Sequence, residues 1–266
     1  MSVNRCIFCK SHDRTFASRE HIVPESLGNT SHILPPGIVC DACNNYFAVK
    51  VEGPVLSTPF FTQARSSSAI PNKRGRIPSI KALTFPDAIC LHLANDARGQ
   101  RSIRGADSAN GDAFIRLLQR NRSVSMIFPV AEFPHSRLFT RFLAKMALET
   151  CAQIWLTPEI DLSNSVIDRP EFDKIRLFSR YGDGVHDWPY STRRLYPADH
   201  KFVNDEDLVC AVTYEHTMLY TEGGELYFVC ALFGIEFAIN LCGPAIDGYK
   251  NFLKPKLTTA PCPLVI

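Results

Sequence analysis

The spacing of apolar and polar residues divides the 266-residue chain into stretches of different character. Up to about Arg65, short apolar pieces (Cys6-Ile7-Phe8, Ile22-Val23, Gly37-Ile38-Val39) are separated by polar turns. Phe47, Val51 and Val55 then recur at helical spacing, so a helix is predicted over Asn44 to Leu56, ended or kinked by Gly53-Pro54. Residues 64–79 hold Ser66-Ser67-Ser68, Pro71, Lys73-Arg74-Gly75-Arg76 and Pro78, the make-up of an exposed linker. A domain boundary is drawn there, between residues 1–66 and 67–266. Beyond it, short helices are predicted at Ala88 to Ala94 and Asp112 to Leu118, and a strand at Ser123 to Val130. Residues 136–155 show the clearest helical period: Leu138, Phe142, Met146 and Ile154 share one side, with Arg141, Lys145 and Glu149 on another. Alternating stretches near Val209–Tyr214, Met218–Tyr220, Leu226–Leu232 and Glu236–Leu241 are joined through Glu222-Gly223-Gly224 and Phe233-Gly234, which predicts an antiparallel sheet. The expected class is α+β.

Composition changes this picture little. Hydrophobic residues make up 45% and charged residues 21%, as in a packed globular protein and unlike a disordered one. The best apolar stretch, Leu226 to Leu241, is interrupted by Gly234 and Glu236, so no membrane span is expected. Met1 to Cys6 has no apolar signal-type core, and a soluble cytoplasmic protein is anticipated.

Charge adds more. The net charge of +2 conceals a basic segment: residues 65–122 hold eleven Lys and Arg against four acids, whereas residues 1–64 carry five of each sign. A solvated loop accounts for such a run, and so does a polyphosphate partner. Lys73, Arg74 and Arg76 are the candidate nucleic-acid contacts.

The ten cysteines carry the first chemistry. Four form two C-x2-C pairs, Cys6/Cys9 and Cys40/Cys43, and the other six are scattered singly. Two intervening residues let both sulfurs of a pair face one ion, so the four thiolates match a closed tetrahedral zinc site. Such a site has no open position and serves as a frame. Cys90, Cys151, Cys210 and Cys230 lie in apolar stretches, where a reduced thiol behaves as a small hydrophobe.

Between the pairs runs Glu20-His21-Ile22-Val23-Pro24, followed by Ser26-Leu27-Gly28-Asn29, and the second pair leads directly into Asn44-Asn45. This ordered combination, from Cys6 to Glu52, resembles the HNH (ββα-metal) endonucleases, especially the branch with zinc knuckles. The resemblance implies an N-terminal ββα-metal module followed by a larger mixed domain. It implies hydrolysis of DNA phosphodiester bonds, leaving 5′-phosphate and 3′-hydroxyl ends. Carried over residue by residue, His21 becomes the general base, Glu20 and Asn44 ligands of a catalytic Mg2+ or Mn2+, Asn45 a weaker substitute and Glu52 an outer contributor. An imidazole titrating at about 6.5 suits a base near neutral pH, and oxygen ligands suit a hard cation. The chain departs from the family where an asparagine often ties the loop before the second knuckle: here that stretch reads Leu34-Pro35-Pro36-Gly37. It also has Asn44 where many members have histidine. One such module cuts one strand, so double-strand cleavage would need a homodimer or two successive events. Two alternatives stay open: a non-catalytic zinc module that binds DNA or another nucleic acid, and a nuclease gated by a ligand or partner of the C-terminal domain. The remaining histidines, among them His32 and His216, are expected to be structural or surface residues.

Overall fold

The structure is a computed structural model that describes residues 4–72, 74–96, 100–121, 123–129, 131–155, 169–197, 200–203, 209–210 and 212–254. It divides into two compact units, one of residues 1–55 together with 135–266, the other of residues 56–134. This differs from the boundary placed at residue 66. The chain leaves its first unit after Val55 and returns to it at His135, a route that a local change in composition does not reveal.

The first unit begins with two short antiparallel strands, β1 (Glu20–His21) and β2 (Ile33–Leu34), with Glu20 opposite Leu34 and His21 opposite Ile33. Helix α1 (Asp41–Phe47) follows and continues through a π-helical turn (Ala48–Glu52) into α2 (Gly53–Leu56). The helical period of Phe47, Val51 and Val55 is real: all three are buried. Phe47 meets Phe8 of the first knuckle with ring centroids 4.4 Å apart.

The second unit contains α3 (Pro59–Ser67), β3 (Ile80–Phe85), β4 (Cys90–Asn95), β5 (Arg101–Gly105), α4 (Ser108–Arg120) and β6 (Ser125–Ile127). Its strands form one antiparallel sheet in the order β5-β4-β3-β6. The stretch Ala88 to Ala94, expected as a helix, is strand β4. Leu91 and Leu93 alternate inward with a period of two, and pairing on both edges outweighs the helical propensity of Ala and Leu. Helix α4 starts on Asp107, whose carboxylate accepts from the Asn110 amide at 2.8 Å, and buries Phe114 against Ala82, Leu91 and Leu93.

The return segment supplies α5 (Arg137–Trp155), α6 (Asp173–Tyr181), β7 (Tyr190–Arg194), β8 (Phe202–Val203), β9 (Val209–Cys210), β10 (Tyr214–Tyr220), β11 (Leu226–Leu232), β12 (Ile235–Asn240) and α7 (Asp247–Leu253). The main sheet is antiparallel with order β10-β11-β12-β7, while β8 and β9 pair separately. Strands β11 and β12 read as nearly unbroken apolar runs because both faces are covered. Phe139 of α5 packs on Phe237 at 5.0 Å, and Tyr249 of α7 packs on Tyr227 at 5.5 Å. The β11–β12 turn needs positive φ at both Phe233 (50°) and Gly234 (76°). A Cβ on Gly234 would also lie 2.3 Å from the Tyr196 carbonyl oxygen, so glycine is required there.

Helix α5 is buried around almost its whole circumference from Phe139 to Ala152. Lys145 and Glu149, which periodicity sets apart from the apolar side, are both fully buried. Of the cysteines expected in apolar surroundings, Cys151 and Cys230 are buried and Cys90 is exposed. Among the described residues no helix is long and apolar enough to cross a membrane.

Candidate active site and metal centre

The four knuckle sulfurs converge. The Sγ atoms of Cys6, Cys9, Cys40 and Cys43 all lie within 4.8 Å of one another, and the Cys9–Cys40 separation is 3.7 Å. Four sulfurs at about 2.3 Å from a tetrahedral zinc stand about 3.8 Å apart, so this group could hold such an ion. Backbone bonds shape both knuckles: Lys10 N–H donates to Cys6 O at 2.8 Å, and Cys43 N–H to Cys40 O at 3.0 Å. Helix α6 reaches the cluster from the return segment. Arg180 Nε donates to Cys43 Sγ at 3.4 Å, and Arg176 Nε to the carbonyl of Ile7 at 2.6 Å. The Cys43 hydrogen bond and burial push the Cys6 thiol up, and burial pushes Cys40 up to about 11.

Cys40 caps helix α1, so Asn44 lies inside the first turn of the helix. The Asn44 side-chain amide donates to Arg19 O at 3.1 Å and thereby links α1 to the entry of β1. Asp41 does the same one turn earlier, accepting from Ser18 N–H at 2.8 Å and Ser18 Oγ–H at 2.6 Å.

On β1, Glu20 is buried and His21 half-buried. Glu20 Oε1 takes an ion pair from Lys145 Nζ at 2.6 Å. The same ammonium lies 2.6 Å from Glu52 Oε1 and 3.0 Å from Glu149 Oε2, and it donates to His21 O at 3.1 Å. One cation therefore serves three carboxylates. Burial alone would lower the Lys145 pKa, but the fields of Glu149, Glu20 and Glu52 outweigh it and keep the ammonium charged. Burial raises the carboxyls of Glu149 and Glu20 despite Lys145. Two atoms on β1 have no hydrogen-bond partner among the described residues although both are buried: Glu20 Oε2 and His21 Nδ1.

The loop between β1 and β2 is tied by a residue that the motif does not single out. Asn29 is fully buried, and its Nδ2 donates to Val23 O at 2.6 Å and His32 O at 2.9 Å. Its Oδ1 accepts from Ser31 N–H at 3.0 Å, His32 N–H at 2.8 Å and Tyr214 O–H at 3.0 Å. Asn29 thus fastens the hairpin from the β1 side, whereas the family's asparagine comes just before the second knuckle. The one signal in the sequence is Gly28-Asn29: a left-handed Gly28 (φ 94°) turns the chain into the buried amide. His32 and His216, both expected to be structural or surface residues, stack edge-on at 4.9 Å beside Tyr214, and burial pushes His216 down to about 4. Replacing Asn29 with alanine should lower stability by on the order of 3 kcal/mol, because the buried Val23 carbonyl and the part-buried backbone groups of Ser31 and His32 lose their partner. Urea unfolding of Asn29→Ala beside wild type measures this, and an unchanged midpoint would refute the tie.

Of the basic candidates, Arg74 and Arg76 are exposed in a turn whose N–H groups donate to Asn72 Oδ1 at 2.9 and 3.1 Å. Lys73 lies outside the described residues.

A two-stranded hairpin running into a helix, closed by four converging thiols, defines a ββα module on a metal-knuckle frame. Residues 6–58 match the model of the HNH endonuclease family. Membership of this family implies a nuclease. No curated protein and no solved structure was found to match the chain.

Proposed function

We propose that the N-terminal module is a metal-dependent endonuclease that hydrolyses DNA phosphodiester bonds, with zinc on the four cysteines as its frame. The observation that carries this reading is the pair of buried, unpartnered atoms on β1, Glu20 Oε2 and His21 Nδ1, inside the segment that matches the family. An imidazole nitrogen free of protein partners can accept a proton from an attacking water. A carboxylate with one oxygen held by Lys145 keeps the other for a cation. The carbonyl oxygen of Asn44 is the amide atom left over once its nitrogen has bonded Arg19. Among the described residues the four cysteines are the one group of three or more Cys, His, Asp or Glu side chains close enough to share an ion. The hard cation would therefore rest on Glu20, Asn44 and solvent, the donor set that suits Mg2+ or Mn2+. When bound, such a cation neutralises charge on the phosphate and the leaving oxygen. His21 takes the proton of the water, and Lys145 fixes the rotamer of Glu20 and the backbone of His21.

Relaxation of supercoiled plasmid in Mg2+ or Mn2+ tests the proposal. His21→Ala, folded and zinc-loaded, is expected to nick about 10²–10⁴-fold more slowly than wild type, the range a positioned base contributes. Equal rates would remove His21 from that role.

A second reading is favoured by the Glu20–Lys145 ion pair, which gives Glu20 a structural duty of its own. Under that reading the module binds nucleic acid without cutting it, and neither protein relaxes the plasmid although both retain it.

A further inference from the structure

The second unit, residues 56–134, carries eleven Lys and Arg against five Asp and Glu. Its sheet has two unlike faces. One is covered by α4 through Phe114. The other is open, and the strand register sets out its composition. Lys81 pairs with His92, and His92 with Arg104, so three basic side chains form a row across β3, β4 and β5. The next row pairs Leu83 with Cys90 and with Ile127, and beyond it stands Phe85 opposite Ser125. Leu83, Phe85 and Ile127 are 43%, 62% and 53% exposed, large values for apolar residues on a sheet. Neither Lys81 nor Arg104 has an ion pair among the described residues, while Ser79 Oγ lies 3.3 Å from His92 Nδ1 and orients that ring. Lys81, Leu83, Cys90, His92, Ile127 and Pro129 line an open cavity of about 500 Å³, within the range that accepts a nucleoside-sized group.

We infer that this open face binds an unpaired stretch of DNA, with phosphates along the Lys81–His92–Arg104 row and bases on the Leu83–Ile127–Phe85 floor. A basic row beside an apolar and aromatic floor is complementary to a strand whose charged edge and flat bases lie side by side. A purely apolar partner would leave Lys81 and Arg104 desolvated and unpaired. A duplex keeps its bases stacked inward and offers nothing to the floor. The inference concerns binding alone and stands whether or not the ββα module cuts.

The test is fluorescence anisotropy of the full-length, zinc-loaded chain with a labelled oligothymidylate of about 16 nucleotides, without added Mg2+. The double substitution Lys81→Ala with Arg104→Ala is expected to weaken binding at least ten-fold. It should also lower the salt slope by about 1.4, at about 0.7 for each phosphate no longer neutralised. Phe85→Ala should weaken binding about ten-fold, because a base no longer has a ring to stack on. All three positions are solvent-facing, and matching melting curves establish that the variants remain folded. Oligothymidylate binding unchanged by these substitutions overturns the assignment. So does equal affinity for duplex of the same length, or for free thymidine monophosphate. Self-association relieved by Phe85→Ala would instead make the face an interface between copies and would also overturn it.

Discussion

Replacing Lys145 with methionine is expected to destabilise the protein by about 3–5 kcal/mol at neutral pH, the cost of leaving buried charge without its partner. Lys145 has no solvent exposure, and its ammonium lies within 3.0 Å of Glu20, Glu52 and Glu149. Methionine keeps the length and apolar stem of the side chain and removes only the charge. The pH dependence separates this from simple misfit. Glu149 is held well above the ordinary carboxylate range by burial, Glu20 is raised for the same reason, and both rise further once the ammonium is gone. A carboxyl whose folded pKa exceeds its unfolded value of about 4.3 supports the folded state while protonated, and that support is lost as pH rises through the folded pKa. The deficit of Lys145→Met is therefore largest at pH 8 and shrinks toward pH 5. Urea unfolding at the two pH values measures it. Adding Glu149→Gln to Lys145→Met should recover part of the loss, since it removes one of the uncompensated carboxylates. A variant as stable as wild type at pH 8 would show that the cluster is not charged in the way described.

Removing the proposed zinc should have an effect at least as large. Structural zinc contributes an apparent free energy of about 10 kcal/mol or more at neutral pH, comparable with the whole stability of a domain. Zinc is held by thiolates, so binding to the four cysteines releases thiol protons. A cation must displace those protons, so its affinity falls as the solution is acidified. Purified protein is expected to hold one zinc per chain. Chelation should expose the four knuckle thiols to a thiol reagent and abolish or strongly lower the thermal transition. Cys43→Ser should reproduce the effect, and it also deprives Arg180 of its sulfur acceptor. Cys90→Ser, at an exposed position in the other unit, should not. Protein that carries no zinc and melts identically in chelator would refute the metal frame.

The knuckles, the β1 motif and the following helix are legible in the sequence because each is a local arrangement. Two residues between paired cysteines, or a step of four from Phe47 to Val51 and again to Val55, state their geometry without reference to distant parts of the chain. What stays hidden is what the chain brings from afar. Lys145 reads as part of a polar helix side, and its distant partners, Glu20 lying 125 residues earlier and Glu52, let it sit in the core. The boundary at residue 66 follows Ser and Pro content, whereas the compact units are decided by where the chain returns. Ala88 to Ala94 has the composition of a helix, and its alternation counts only beside β3 and β5. Asn29 gives one local cue, the preceding glycine, but its five hydrogen bonds include one from Tyr214, 185 residues away.

The distance between Glu20 and Lys145 also sets an order of events at the ribosome. Translation at about 5–20 residues per second puts Lys145 into the chain roughly ten seconds after Glu20. During that interval the knuckles can load metal, yet Glu20 and Glu52 have no ammonium to bury against and α1 has no α5 behind it. A nascent chain, or one cut short by premature termination, thus carries every residue of the family motif without the brace that fixes its carboxylate. A chain ended near Arg65 is therefore expected to be inert, however intact its motif.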